Sequence, residues 1–151
     1  MRALTLYRPW AWALFHGKPV ENRTWSPPAS MIGEPIAIHA GRKWDKDGAE
    51  FVYRLLGPAA ILPAARAEGI IGVAVLDRVI SGCQLFPGEP IPPTDPLRGS
   101  PWYFGPFGWV LREQVELEVP VACRGALGLW VLPPDVEAAV RGQLEVKHAA
   151  G

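Results

Sequence analysis

The chain has 151 residues, of which 49% are apolar and 20% charged, so it is long enough to bury a sizeable core and too apolar to be disordered. Lys plus Arg and Asp plus Glu both number 15, so no bulk field draws the molecule onto nucleic acid, and any such contact must come from a local basic patch. No segment approaches 18 uninterrupted apolar residues, and Arg8 and Pro9 break the N-terminal run short of signal-peptide length, which points to a soluble, cytoplasmic protein without membrane contact.

In chain order, residues 3–7 read as a first strand. Pro9 suits the first turn of a helix over 9–16, because its missing N–H would be unpaired there anyway. Gly17 closes that helix, and 18–25 is extended. Residues 34–40 form a strand whose period of two puts Ile36 and Ile38 on one face and Ala37 and His39 on the other. Helical spacing over 45–56 turns Phe51, Val52 and Leu55 to the core, and Gly57-Pro58 ends it. A short helix over 59–68 precedes the Val- and Ile-rich run 70–80, which reads as a central strand.

Six prolines mark 86–101 as a long irregular loop, a kind of segment that is often functional and is suited to docking a partner. The run 108–119 alternates, with Trp109, Leu111, Val115, Leu117 and Val119 on one face and Arg112, Gln114, Glu116 and Glu118 on the other. Glu113 breaks its apolar row and predicts a bulge or an inward carboxylate. A last strand over 127–132 leads to a helix from 133 to about 144 and a frayed tail. Trp10 and Trp130 are the tryptophans expected to be buried. Cys83 and Cys123 make neither a metal-ligand spacing nor a disulfide framework, so reduced thiols are expected, with no metal and no cofactor.

Several stretches together carry a family resemblance. Leu4-Thr-Leu-Tyr-Arg-Pro-Trp-Ala-Trp12 and Lys18-Pro-Val-Glu-Asn-Arg-Thr-Trp25 open it, followed by Ile38-His-Ala40 and Gly72-Val-Ala-Val-Leu-Asp77. Ser100-Pro-Trp-Tyr-Phe-Gly-Pro-Phe-Gly-Trp-Val-Leu-Arg112 and Gly125-Ala-Leu-Gly-Leu-Trp130 complete it. Over residues 3–132 the chain resembles ASCH domains of the PUA-like superfamily. The resemblance implies an α+β protein, a PUA-like mixed β barrel with short flanking helices. It places the ASCH domain at 1–133, with 134–151 a C-terminal helix and tail of the same domain. It also implies an RNA-related role.

The residues at 18–25 carry chemistry of their own. Lys18, Glu21, Asn22, Arg23 and Trp25 supply a cation, a carboxylate, an amide, a guanidinium and an indole within eight residues. Such a set can bind phosphate, pair with a base edge and stack a base. Alternation puts Glu21, Arg23 and Trp25 on one face and Asn22 and Thr24 on the other. The competing reading is an Arg23–Glu21 ion pair with Trp25 in the core. His39 is a candidate proton carrier or base contact, since imidazole titrates near neutral pH. Arg42 and Lys43 are candidate phosphate contacts. Trp102 and Tyr103 are stacking candidates beside Gly105 and Gly108, where a ligand can approach the backbone.

Two functions follow. One is binding of RNA or a modified nucleotide in a cleft where Lys18, Glu21, Arg23 and His39 converge. The other is hydrolysis of a nucleoside or RNA using Lys18 and Glu21 as acid and base. A branch related to the family hydrolyses N4-acetylcytidine with a Lys, Thr and Glu trio. Lys18 matches that Lys, but Glu21 stands where the resemblance places the Thr, and the hydroxyl nucleophile is lost.

Overall fold

A computed structural model describes residues 1–81 and 95–151. β1 (Arg2–Arg8) buries alternate side chains on both faces and leads directly into α1 (Trp10–Ala13). That helix is shorter than the apolar run suggests. From Trp12 onward the chain tightens, Phe15 N–H bonding Trp12 O and His16 N–H bonding Ala13 O, until Gly17 turns it at φ 110°. β2 (Val20–Arg23) follows, and then β3 (Pro35–Trp44), which carries Arg42 and Lys43 as strand residues rather than turn residues.

α2 (Lys46–Leu56) starts at Asp45, whose side chain accepts from Gly48 N–H, a standard N-cap arrangement. It buries Val52 and half-buries Phe51. Leu55 stays exposed and Leu56 packs inward instead, against the cluster that holds Val52 and Ala60. α3 (Ile61–Arg66) precedes β4 (Gly69–Ser81), an interior strand of the sheet. The predicted loop over 86–101 falls mostly outside the described residues; its end forms a single helical turn, Pro96–Gly99.

β5 (Phe107–Val121) carries the predicted bulge. Val73 pairs with Val115 and Val75 with Arg112, so Glu113 and Gln114 together oppose Ala74, and Glu113 takes φ 49°. The extra residue reverses the side-chain alternation. Trp109 and Leu111 therefore enter one core cluster and Leu117 another, rather than sharing a face, and Val119 is exposed. β6 (Leu129–Val131) and α4 (Pro134–Ala150) complete the fold. α4 runs on past 144 because nothing between 145 and 150 breaks a helix, and Lys147 and His148 sit favourably in its last turn.

The strands make one mixed sheet in the order β2-β5-β4-β3-β1-β6, curled into a half-barrel of α+β form. Among the described residues only β1 and β3 pair in parallel. One face holds Leu4, Leu6, Ile36, Ile38, Leu76 and Trp109 under α1; the other holds Ala3, Ala37 and Ile70 under Val136 and Val140 of α4. Trp109 is the fully buried tryptophan. Trp10 and Trp130 are only half-buried, with their indole N–H groups on Asp45 and Thr5 respectively.

Candidate functional site

Period two along β2 sends Glu21 and Arg23 to one side and Asn22 to the other. Glu21 Oε2 accepts from Lys18 Nζ at 3.0 Å, and Arg23 Nε lies 3.9 Å from Glu21 Oε1. Lys18 is 2% exposed and Glu21 8%, so this is a buried cluster of two cations around one carboxylate. Arg23 is its more exposed member. Burying charge is costly unless it is paired, and here one unit of positive charge remains after pairing.

The neighbours fix Lys18 in place. Its ammonium sits 4.9 Å from the centre of the Trp10 ring, a cation–π contact. Trp10 is held in turn by Asp45 Oδ2, which accepts its indole N–H at 2.7 Å. The backbone N–H of Gly48 and the Trp10 indole keep the Asp45 carboxyl below the usual carboxylate range. Gln114 turns inward at the bulge, and its amide nitrogen donates to the carbonyls of Leu14 and Lys18. Sequence reasoning left Gln114 on the polar face of β5. Only the bulge, predicted without its consequence for facing, would have revealed it.

Asn22 does structural work. Its Nδ2 donates to Trp102 O at 2.9 Å, and its Oδ1 accepts from the N–H groups of Phe104 and Gly105 at 2.8 and 3.2 Å. The side chain thus organises the turn before β5. Trp25 packs edge-on against Trp109, with ring centroids 4.8 Å apart. Trp102 is 7% exposed and packs edge-on against Phe51, which leaves no face for a base. Tyr103 accounts for the two glycines beside it: a Cβ at Gly108 would lie 2.7 Å from its ring, and its hydroxyl stands over Gly105. The space above that backbone belongs to Tyr103 rather than to a ligand.

His39 lies apart from the Lys18 cluster, in a cleft of about 1030 Å3 lined also by Thr5, Arg42, Cys123, Arg124 and Gly125. Arg42 is 95% exposed and its guanidinium is 3.5 Å from Glu68, a surface pair of little strength. Burial, with Asp135 adding to it, pushes the Cys123 thiol up, which makes it a poor nucleophile. Lys18, Glu21 and Arg23 therefore come together, and His39 and Arg42 share a second cleft. Thr5 joins the two, its carbonyl accepting from Arg23 and its side chain facing His39's cleft. Thr5 escaped sequence reasoning; a small hydroxyl residue between Leu4 and Leu6 is the signal that marks it. Among the described residues no group of His, Cys, Asp and Glu could hold a metal ion.

Neither a protein-family model nor a curated protein matches the sequence. Among solved structures, the crystal structure of ASCH from Zymomonas mobilis superposes with a TM-score of 0.51 at 16% identity, covering 93% of each chain. At that identity the likeness concerns the fold, and the chain has an ASCH-like fold. No helix among the described residues is long and apolar enough to cross a membrane.

Proposed function

We propose that the chain binds RNA or a modified nucleotide, with Lys18, Glu21 and Arg23 as the polar contact set. The observation that carries this reading is the charge of the cluster. Lys18 and Arg23 surround Glu21 alone, which leaves a net positive site that one phosphate would neutralise. Glu21 supplies an acceptor for the exocyclic N–H donors of a base, and Arg23 provides the exposed edge by which a ligand reaches the pair. The ASCH-like fold supports the same class of ligand. Such a protein would work in the cytoplasm.

The reading is tested by titrating labelled single-stranded RNA at several salt concentrations. Because net charge is zero, binding should be local, with a salt slope corresponding to about 2–4 phosphate contacts. No saturable binding at low salt, or a slope equivalent to roughly eight contacts, overturns it.

The 3.0 Å contact between Lys18 Nζ and Glu21 Oε2 favours one second reading, general acid–base hydrolysis. Glu21 attacking an amide itself would form a mixed anhydride, a high-energy intermediate, so no turnover of N4-acetylcytidine through an acyl-enzyme is expected. Cytidine release by the wild type that Glu21→Ala abolishes would make this the function instead.

A further inference from the structure

The cleft around His39 has a chemistry the Lys18 cluster does not explain. His39 is 5% exposed at its floor, and its Nε2 is 2.8 Å from the Cys123 carbonyl oxygen. A carbonyl only accepts, so Nε2 carries a proton, and in the neutral ring Nδ1 presents a bare lone pair. That Nδ1 is buried and has no hydrogen-bond partner among the described residues. Leaving a buried acceptor unpaired is costly, which marks the atom as one to be explained.

Thr5 Oγ1 stands beside it. It accepts the Trp130 indole N–H at 3.1 Å, and its own hydroxyl proton has no acceptor among the described residues. Gly125 packs directly against both groups, at the edge of the cleft that all three line. A Cβ there would lie 2.7 Å from His39 Cε1, 2.8 Å from Nδ1 and 2.8 Å from Thr5 Oγ1. Gly125 does not adopt a left-handed φ, so the glycine supplies room and not conformation. The cleft also carries Arg42 and Arg124, both exposed, and Arg124 has no ion-pair partner among the described residues.

We propose that this cleft is a second binding site, one for a ribonucleotide unit. The 2′-hydroxyl donates to His39 Nδ1 and accepts from the Thr5 hydroxyl, while the phosphate takes Arg42 and Arg124. A hydroxyl is both donor and acceptor, which is what an unpaired acceptor beside an unpaired donor requires. Phosphate is the anion that guanidinium groups pair with best. The site does not depend on RNA binding at the Lys18 cluster, since none of Lys18, Glu21 and Arg23 lines the cleft.

The test is calorimetric titration of the whole protein with the four ribonucleoside 5′-monophosphates and their 2′-deoxy counterparts, with nitrogen-15 NMR of His39. At least one ribonucleotide should bind saturably, and its deoxy form about tenfold or more weaker. In the free protein Nδ1 should be the unprotonated nitrogen, and its resonance should move on binding. Gly125→Ala, which crowds both groups, and Arg124→Ala should each weaken binding about tenfold, and Arg112→Ala, an exposed arginine outside the cleft, should leave it within about twofold. Equal affinity for ribo and deoxy forms, no saturable binding, or a proton on Nδ1 in the free protein overturns the assignment. So does loss of nucleotide binding in a folded Lys18→Met, which would move the ligand to the other cluster. The deoxy comparison and the NMR signature both use the wild type, so they decide the matter even if a variant fails to fold.

Discussion

Arg23 Nη2 donates to the Thr5 carbonyl at 2.9 Å, across the gap between β2, at one end of the sheet order, and β1, next to the other end. β6 pairs with β1 only from Arg2 to Leu4, so Thr5 is the first residue of β1 beyond β6's cover. The guanidinium takes the place of a strand neighbour there and draws the curled sheet toward closure. The same side chain contacts Glu21, so closure of the seam and geometry of the candidate site share one residue.

Replacing Arg23 by Met keeps the aliphatic stem and removes this bond. Arg23→Met should lower stability by about 1.5–3 kcal/mol, the range for hydrogen bonds to charged groups, measured by urea unfolding. Backbone amides around Thr5 should exchange faster. An unchanged midpoint and unchanged exchange would mean that packing alone holds the seam.

Gly48 offers a substitution whose sign is reversed by its neighbour. In an exposed helix interior, Gly→Ala gains about 1 kcal/mol. Here a Cβ would lie 2.5 Å from the Trp10 indole, well inside contact distance. Gly48→Ala should therefore destabilise, by about 1–3 kcal/mol, as overpacking does. Because Trp10 covers the Lys18 ammonium, RNA affinity should fall with it. A rise in melting temperature would contradict the packing described.

The sequence carried the sheet well, since strands and their facing follow from local alternation. Ile36 and Ile38 against Ala37 is the clear case. It also carried the bulge at Glu113, but not the consequence that Gln114 turns inward to hold the Lys18 turn. Proximity along the chain joined Lys18, Glu21 and Arg23. What failed was His39, because facing within a strand says nothing about which distant loop covers it, and residues 122–127 form a separate cleft there. The aromatic residues were misjudged for a similar reason. Whether an indole is covered depends on partners far away in sequence, Phe51 for Trp102 and Trp25 for Trp109.

Asp95 gives a prediction in pH. Arg78 grips it with both ends of its guanidinium, Nε at 2.5 Å and Nη2 at 3.0 Å, and holds its carboxyl down to about 2. The folded value lies below the unfolded one, so the stabilisation is complete above roughly pH 4 and lost as pH falls toward 2. Arg78 is half-exposed, and solvent screening reduces the pair to about 1 kcal/mol. Asp95→Asn should lower the melting temperature by about 2–4 °C at neutral pH. The difference from wild type should vanish near pH 2, and one that persists there would show that the ion pair is not its source.

The central claim is that ligand binds at the buried Lys18–Glu21–Arg23 cluster. It is tested most directly by the affinity for single-stranded RNA of the wild type, Lys18→Met, and two variants of exposed arginines elsewhere, Arg112→Ala and Arg141→Ala. Lys18→Met should bind about tenfold or more weaker while remaining folded, through loss of a charge-assisted contact. The two surface variants should bind as the wild type does. A folded Lys18→Met with full affinity, with binding weakened instead by Arg112→Ala or Arg141→Ala, would contradict the account.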